Sequence, residues 1–241
     1  MKTKSSVLII FVLIMLGLTA CKEEQFKPIP EKERTYFHIL NAYTGFSGID
    51  VKLLSFDENR WIADDLGFKD SWPKTGYASL LTAPDPDSVD GRDGVTFQVY
   101  EHTTKTALVT DLSLVLPPNT YTSFCLIDSF GKPLLVKTVD NIRKVEDPKK
   151  ALIRFMNIEY KTLSVTMKTT DDSVNIEKLN YLNYSTFAEF PAGKKTFLFI
   201  NDFTGNVIDS ISNLEIKPGK AYSFYLTEGY NGPTADYEIL D

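Results

Sequence analysis

The residues that could do chemistry in this chain are few and scattered. Asp85, Asp87, Asp90 and Asp93 fall in one short stretch with Gly91 and Gly94, and carboxylates on a flexible turn are the oxygen donors calcium prefers. An EF-hand loop also uses its fifth position and closes on a glutamate at its twelfth. Counted from Asp85 those positions are Val89 and Thr96, so the stretch reads as a solvated hairpin loop and no metal is expected. The two histidines, His38 and His102, are the natural candidates for proton transfer near neutral pH. Neither has a nucleophile at a familiar spacing, and the sequence contains no GxSxG, SDN or HExxH segment and no phosphate loop. His38 stands where a later, matching segment has Arg154, so a basic, partly exposed position accounts for it. His102 precedes TTKT, a turn-like run. A hydrolase would need a triad assembled from distant residues. The chain reads as non-enzymatic, with no catalytic residue and no cofactor.

Two tryptophans remain. Trp61 and Trp72 both lie in ENRWIADDLGFKDSWPKTGY, and the matching later stretch, SVNIEKLNYLNY, has none. A Trp in a β-sandwich ordinarily packs in the core. An exposed one can stack on a sugar ring or anchor a protein partner. Trp61 and Trp72 are therefore the candidate ligand-binding residues, with exposure as the deciding property.

Cysteine chemistry is of two kinds. Lys2 and Lys4 precede an apolar run from Val7 to Leu18 that ends in LTAC at Cys21. The run is shorter than the roughly 20 residues a membrane-spanning helix needs and has the flanks of a signal peptide. LTAC resembles the lipobox of bacterial lipoproteins, rather than an ordinary secretory cleavage site with an incidental cysteine. The resemblance implies a diacylglycerol thioether on Cys21, cleavage before it, and acylation of the new amine. Each buried methylene adds about 0.8 kcal/mol, and two or three chains make release slow. The partner so implied is a membrane, through N-terminal acyl chains. The following CKEE resembles the lysine-then-acidic signal that carries lipoproteins to the outer surface in some Gram-negative groups, so an outer-membrane, exterior-facing location is expected, with the periplasmic face as the alternative. The other cysteine, Cys125, sits in the apolar TSFCLID and reads as an inert, buried thiol.

The elements that must position these groups come in two copies. YFHILNA from Tyr36 matches LIRFMNI from Leu152, with Asn41 on Asn157; IDVKL matches LSVTM; VTFQVYE matches KTFLFIN; and LSLVLPPNTYTSFCLID aligns without a gap on ISNLEIKPGKAYSFYLT. Each unit spans about 110 residues, a domain-sized length. KTFLFIN places Phe197 and Phe199 on one face and Leu198 and Ile200 on the other, which predicts a strand covered on both sides. AYSFYLT alternates Tyr222, Phe224 and Leu226 with Ser223, Tyr225 and Thr227, which predicts a half-buried strand. PAGK, DFTGN and KPGK punctuate the runs. The predicted class is all-β: two tandem immunoglobulin-like β-sandwiches after a signal peptide (1–20) and tether (21–34), with a first sandwich at 35–140, a linker at 141–150 and a second sandwich at 151–241.

The opening strand ending in Asn, the paired Y…PAG…TF strands and the PGKxYSF close resemble the domain-of-unknown-function 4397 family. That family's β-sandwich repeats occur in bacterial envelope lipoproteins. Unit two fits best, through NYSTFAEFPAGKKTFLFI and IKPGKAYSFYL; unit one departs by the insertion APDPDSVDGRDG. The resemblance implies no catalytic residues. Lys2 and Lys4 lie in the signal region, which leaves 24 basic residues against 32 acidic ones, and a chain of that balance with no basic block is not a nucleic-acid binder. The expected function is a lipid-anchored envelope module that binds or scaffolds, its partner a glycan or an envelope protein, with a carbohydrate-binding accessory lipoprotein as the more specific alternative. Cys21→Ser should abolish lipidation and release the protein from membranes on fractionation; persistence in the membrane fraction would disprove the anchor.

Overall fold

The computed structural model describes residues 34–54, 59–81 and 94–240. The signal peptide, Cys21, the tether and the Asp85–Asp93 loop lie outside the described residues. Among the described residues there is no helix, and the all-β, tandem-sandwich reading is borne out.

The first repeat contains β1 (Arg34–Ala42), β2 (Gly48–Leu54), β3 (Asn59–Gly67), β4 (Ser71–Trp72), β5 (Ala78–Leu81), β6 (Gly94–Glu101), β7 (Ala107–Val115), β8 (Tyr121–Ser129) and β9 (Lys132–Asp140). One sheet runs β4-β1-β8-β9, with β5 also on β1, and the other runs β3-β2-β6-β7. The second repeat contains β10 (Lys150–Asn157), β11 (Ser164–Thr169), β12 (Asn175–Asn180), β13 (Asn183–Tyr184), β14 (Ala188–Pro191), β15 (Gly193–Asn201), β16 (Val207–Ile216), β17 (Ala221–Gly229) and β18 (Gly232–Ile239). Its sheets are β13-β10-β17-β18, with β14 on β10, and β12-β11-β15-β16. In both repeats the opening strand lies parallel to the penultimate one, β1 on β8 and β10 on β17. The matched asparagines have one job: Asn41 Nδ2 donates to the Leu66 carbonyl at 2.8 Å and Asn157 Nδ2 to that of Leu179 at 2.9 Å. Each ties the end of the opening strand to the end of β3 or β12.

Strand alternation supplies each sandwich with its core. Phe37, Ile39, Phe97, Phe124 and Leu126 meet in the first, and Ile153, Phe155, Phe197, Phe199 and Phe224 in the second. The opposite faces of β1, β8, β10 and β17 pack on each other. Leu40, Ala42, Cys125 and Ile127 from the first repeat form one cluster with Met156, Ile158 and Tyr225 from the second. The β4-β1-β8-β9 and β13-β10-β17-β18 sheets are therefore inner layers covered on both sides, and β3-β2-β6-β7 and β12-β11-β15-β16 are outer layers.

This layering reverses two strand expectations. β17 is buried along its whole length, because its Ser223, Tyr225 and Thr227 face the other repeat rather than water. β15 is covered on one side only; Leu198 and Ile200 sit partly exposed on the outer face. His38 is corrected in the same way. It and Arg154 are both about 1% exposed, basic groups enclosed between the inner sheets.

Polar bonds close that interface. Arg154 pairs with Asp140 and donates to Ser223 Oγ at 2.8 Å, Thr138 Oγ1 at 3.1 Å and Ser123 Oγ at 3.1 Å. Asp140 also accepts from Ser123, Tyr77 and Thr138. His38 Nε2 lies 3.5 Å from Glu238 Oε1, the reciprocal contact from first repeat to second. Burial, seconded by Arg154, holds the His38 pKa down at about 3. Burial pushes the Glu238 carboxyl up to about 8. Hairpin tips reach across at both ends, Phe130 onto Tyr160 and Tyr230 onto Phe68. Between β9 and β10, Asn141 brackets Phe187, accepting from its amide at 2.9 Å, while Ile142 and Val145 pack with Leu152 and Phe187. Cys125 is a free, buried thiol whose pKa burial raises.

Glu238 makes stability depend on pH with a definite sign. Its folded pKa of about 8 exceeds the ordinary value of 4.5, so between those pH values the folded chain holds a proton that the unfolded chain has released. The stabilisation is complete below about pH 4.5 and is lost as pH rises through about 8. Thermal melts should therefore show Glu238→Gln gaining on the wild type between pH 6 and 8, by about 1.4 kcal/mol per pH unit. Parallel melting curves at every pH would refute the assignment.

Candidate functional site

With the inner sheets covered, the outer sheets are where broad faces meet water. On β3-β2-β6-β7 the register sets Lys52 between Trp61 and Gln98, and Asp50 beside Tyr100. Alternation requires this: Val51, Leu53, Phe97 and Val99 point into the core, so Lys52, Gln98 and Tyr100 must point out. Trp61 is 51% exposed. Its indole meets the Tyr100 ring edge to face at 5.2 Å, and the ammonium groups of Lys52 and Lys105 lie 5.7 and 5.8 Å from its centroid. Tyr100 Oη donates to Gln98 Oε1 at 2.8 Å, which holds the phenol against the sheet.

Below the aromatic pair lies a charge cluster. Asp50, about 1% exposed, accepts from the Asp65 amide at 2.9 Å, meets His102 Nδ1 at 2.7 Å and takes the Lys105 ammonium. Burial alone would raise the Asp50 carboxyl; the bonds from Lys105, the Asp65 amide and His102 outweigh it and hold the pKa well below the usual range. The bond to Asp50 raises both His102 and Lys105. Asp64 Oδ1 stands 3.5 Å from His102. Asp50, Asp64 and His102 offer ligand atoms within 4.8 Å of one another, a trio able to hold a cation, but the ammonium of Lys105 already supplies positive charge there.

The β6–β7 turn delivers that ammonium. Glu101 accepts from the Thr103 amide at 2.8 Å and from the Thr104 amide; the Thr104 side chain first, and then these amides, hold its pKa down at about 2 against burial. Asn201 performs the same task in the matching β15–β16 turn, accepting from Phe203 and Thr204. Both turns then need a left-handed residue. The second repeat uses Gly205 (φ 71°), and the first uses Lys105 (φ 56°). A side chain at positive φ costs on the order of 1 kcal/mol, and here the lysine gains Asp50 by it.

The second repeat serves as an internal comparison. Thr166 stands for Lys52, Leu198 for Gln98, Ile200 for Tyr100, Ser164 for Asp50 and Asp202 for His102. Ser164 and Thr166 donate to Asp202, and no aromatic stands beside them on β15. The exposed aromatic and its charged surround belong to repeat one.

The structure separates the two candidate tryptophans. Trp72 pairs with Ile39 in the inner sheet and packs on the first core, its ring 5.6 Å from Phe37. Trp61 is on the outer sheet. Lys52, Tyr100 and Lys105 were not legible as site residues. The available signal was the alternation of VTFQVYE and the lysine where the other repeat has glycine. Away from Trp61, a concavity of about 400 Å³ is lined by residues that include Tyr36, Tyr77, Tyr121, Ile142 and Leu240. Tyr36 is stacked on Tyr121 at 4.6 Å and Tyr77 meets Tyr121 edge to face at 5.0 Å, so these rings are already engaged with one another.

No family model matches the chain, and no curated protein matches it. Solved structures show distant likeness. The C-terminal domain of AlgF from P. aeruginosa is 15% identical, with 38% of this chain covering 98% of that one and a TM-score of 0.31. The family CBM26 domain CBMbc from Eubacterium rectale Amy13K, determined with maltoheptaose, is 11% identical, with 83% of this chain covering 96% of that one and a TM-score of 0.26. At these scores neither carries an argument about this chain.

The placements predict opposite costs. Trp72→Ala should lower stability by about 2 kcal/mol or more, since it removes a ring from the core. Trp61→Ala should stay within about 1 kcal/mol, the size of exposed aromatic and cation–π contacts. Denaturant melts measure both, and equal losses would contradict the core and surface placements.

Proposed function

We propose that this protein is a non-enzymatic carbohydrate-binding module, held at the cell envelope by acyl chains on Cys21, that presents the outer face of its first repeat. The observation carrying the reading is the half-exposed Trp61, braced by Tyr100 on a rigid sheet and bordered by Lys52 and Gln98. A flat indole accepts the apolar face of a pyranose, and polar groups at its rim can meet hydroxyls. At the matching strand positions the second repeat has Thr166, Leu198 and Ile200, none of them aromatic. The groups around His102 are carboxylates and an ammonium that neutralise one another, an arrangement suited to recognition.

The envelope setting rests on LTAC and CKEE, and membership of the domain-of-unknown-function 4397 family on the paired turn and strand motifs. In this reading the domains keep the boundaries 35–140 and 151–241. The joint at 141–150 is no free swivel, since buried bonds between the repeats hold them in one orientation.

A glycan array probed with the wild type and Trp61→Ala tests the reading. The wild type should retain at least one glycan class, and the variant should lose on the order of tenfold in affinity, equivalent to about 1.4 kcal/mol. Equal retention by both proteins would remove Trp61 from the site.

A further inference from the structure

Among the described residues, one cation bordering Trp61 has no ionic partner. Asp50 pairs with Lys105 and Asp64 meets His102, while Glu101 accepts from the Thr103 and Thr104 amides and Asp65 also faces His102. Lys52 is that cation: it forms no ion pair among the described residues, and its ammonium lies over the exposed indole, 5.7 Å from the ring centroid. The chain as a whole is acidic, with a formal charge of −6. At physiological salt, charges beyond about 8 Å are screened, so a ligand on Trp61 meets this local set rather than the distant acidic surface. A sugar ring stacked on the indole would bring an anionic substituent within reach of Lys52. Lys105, tied to Asp50 yet still about half exposed as a side chain, borders the same ring.

We propose that the site takes an acidic polysaccharide whose sugar units carry carboxylates, with Trp61 stacking on the ring and Lys52 pairing with the carboxylate. This rests on the carbohydrate-binding reading and narrows it. Neutral glycans satisfy the indole but leave Lys52 unmatched. The repeat-two counterpart has Thr166, Gly205 and Asp202 at the positions of Lys52, Lys105 and His102. It therefore lacks the cations at those three positions, its nearby Lys168 being paired with Asp172, which makes the proposed specificity a property of one face.

The test titrates the full chain with polygalacturonate and hyaluronate and with their carboxyl-reduced, neutral counterparts. Binding is read as the Trp fluorescence difference between wild type and Trp61→Ala. A polyuronate should bind on the order of tenfold more tightly than its reduced form, and Lys52→Gln should lose on the order of tenfold toward it. Lys52→Arg, which keeps the charge, should stay within about threefold. If a reduced polymer binds as tightly as its parent, or Lys52→Gln binds the polyuronate unchanged, the acidic-ligand assignment falls while the stacking site stands. If no polymer of either kind perturbs Trp61, the acidic assignment is overturned; the glycan array then decides the broader reading separately.

Discussion

Arg154 and Asp140 form a charge pair between two sheets, with both side chains essentially removed from water. Isolated, either charge would cost several kcal/mol to bury. Both are accepted because each is saturated. The guanidinium reaches Ser223, Thr138, Ser123 and Asp140 and lies over the Phe187 ring. The carboxylate collects Ser123, Thr138 and Tyr77 besides the arginine. These partners come from both repeats, so the pair is satisfied only when the inner sheets meet in one register. Such a pair adds little net stability over an apolar filling, but separating it leaves an uncompensated buried charge and costs about 3–5 kcal/mol. The repeats are thereby held in one relation.

The interface carries traces of the duplication. His38 and Arg154 occupy matching positions in β1 and β10, and each faces an acid of the other repeat, Glu238 or Asp140. The two solutions differ electrostatically. One pair is saturated with hydrogen bonds; the other is kept neutral by burial, with His38 lacking any hydrogen-bond partner among the described residues. Two charged pairs in this dry layer would double the desolvation cost, and one suffices to fix register.

Because the inner sheets are consumed by each other, broad ligand surfaces are confined to the outer sheets and their turns. There the copies have diverged. The second keeps Gly205 in its tight turn and has Thr166, Leu198 and Ile200 where the first has Lys52, Gln98 and Tyr100. The first spends the same turn on Lys105, whose ammonium neutralises Asp50. The strain is local and the gain is electrostatic.

Much of the architecture was written in residue order. The alternation of Phe37 with His38 and of Phe224 with Ser223, the Asn pair at 41 and 157, and the turns at Gly205 and Gly219 are local patterns that backbone geometry reads directly: two faces per strand, a tie at the strand end, a left-handed residue at the corner. They determined an all-β chain of two similar sandwiches. What covers each polar face is a different matter, because alternation distinguishes two faces without saying whether water or another sheet meets the second. Only the tertiary structure decided that Ser223 and Arg154 are buried while Leu198 and Ile200 look outward, and that of two tryptophans eleven residues apart one lies in a core and the other on a surface. The reason is physical: burial belongs to pairs of sheets, and the partner of a sheet is set by saturated contacts between residues far apart in sequence, such as Arg154 with Asp140 and Ser123.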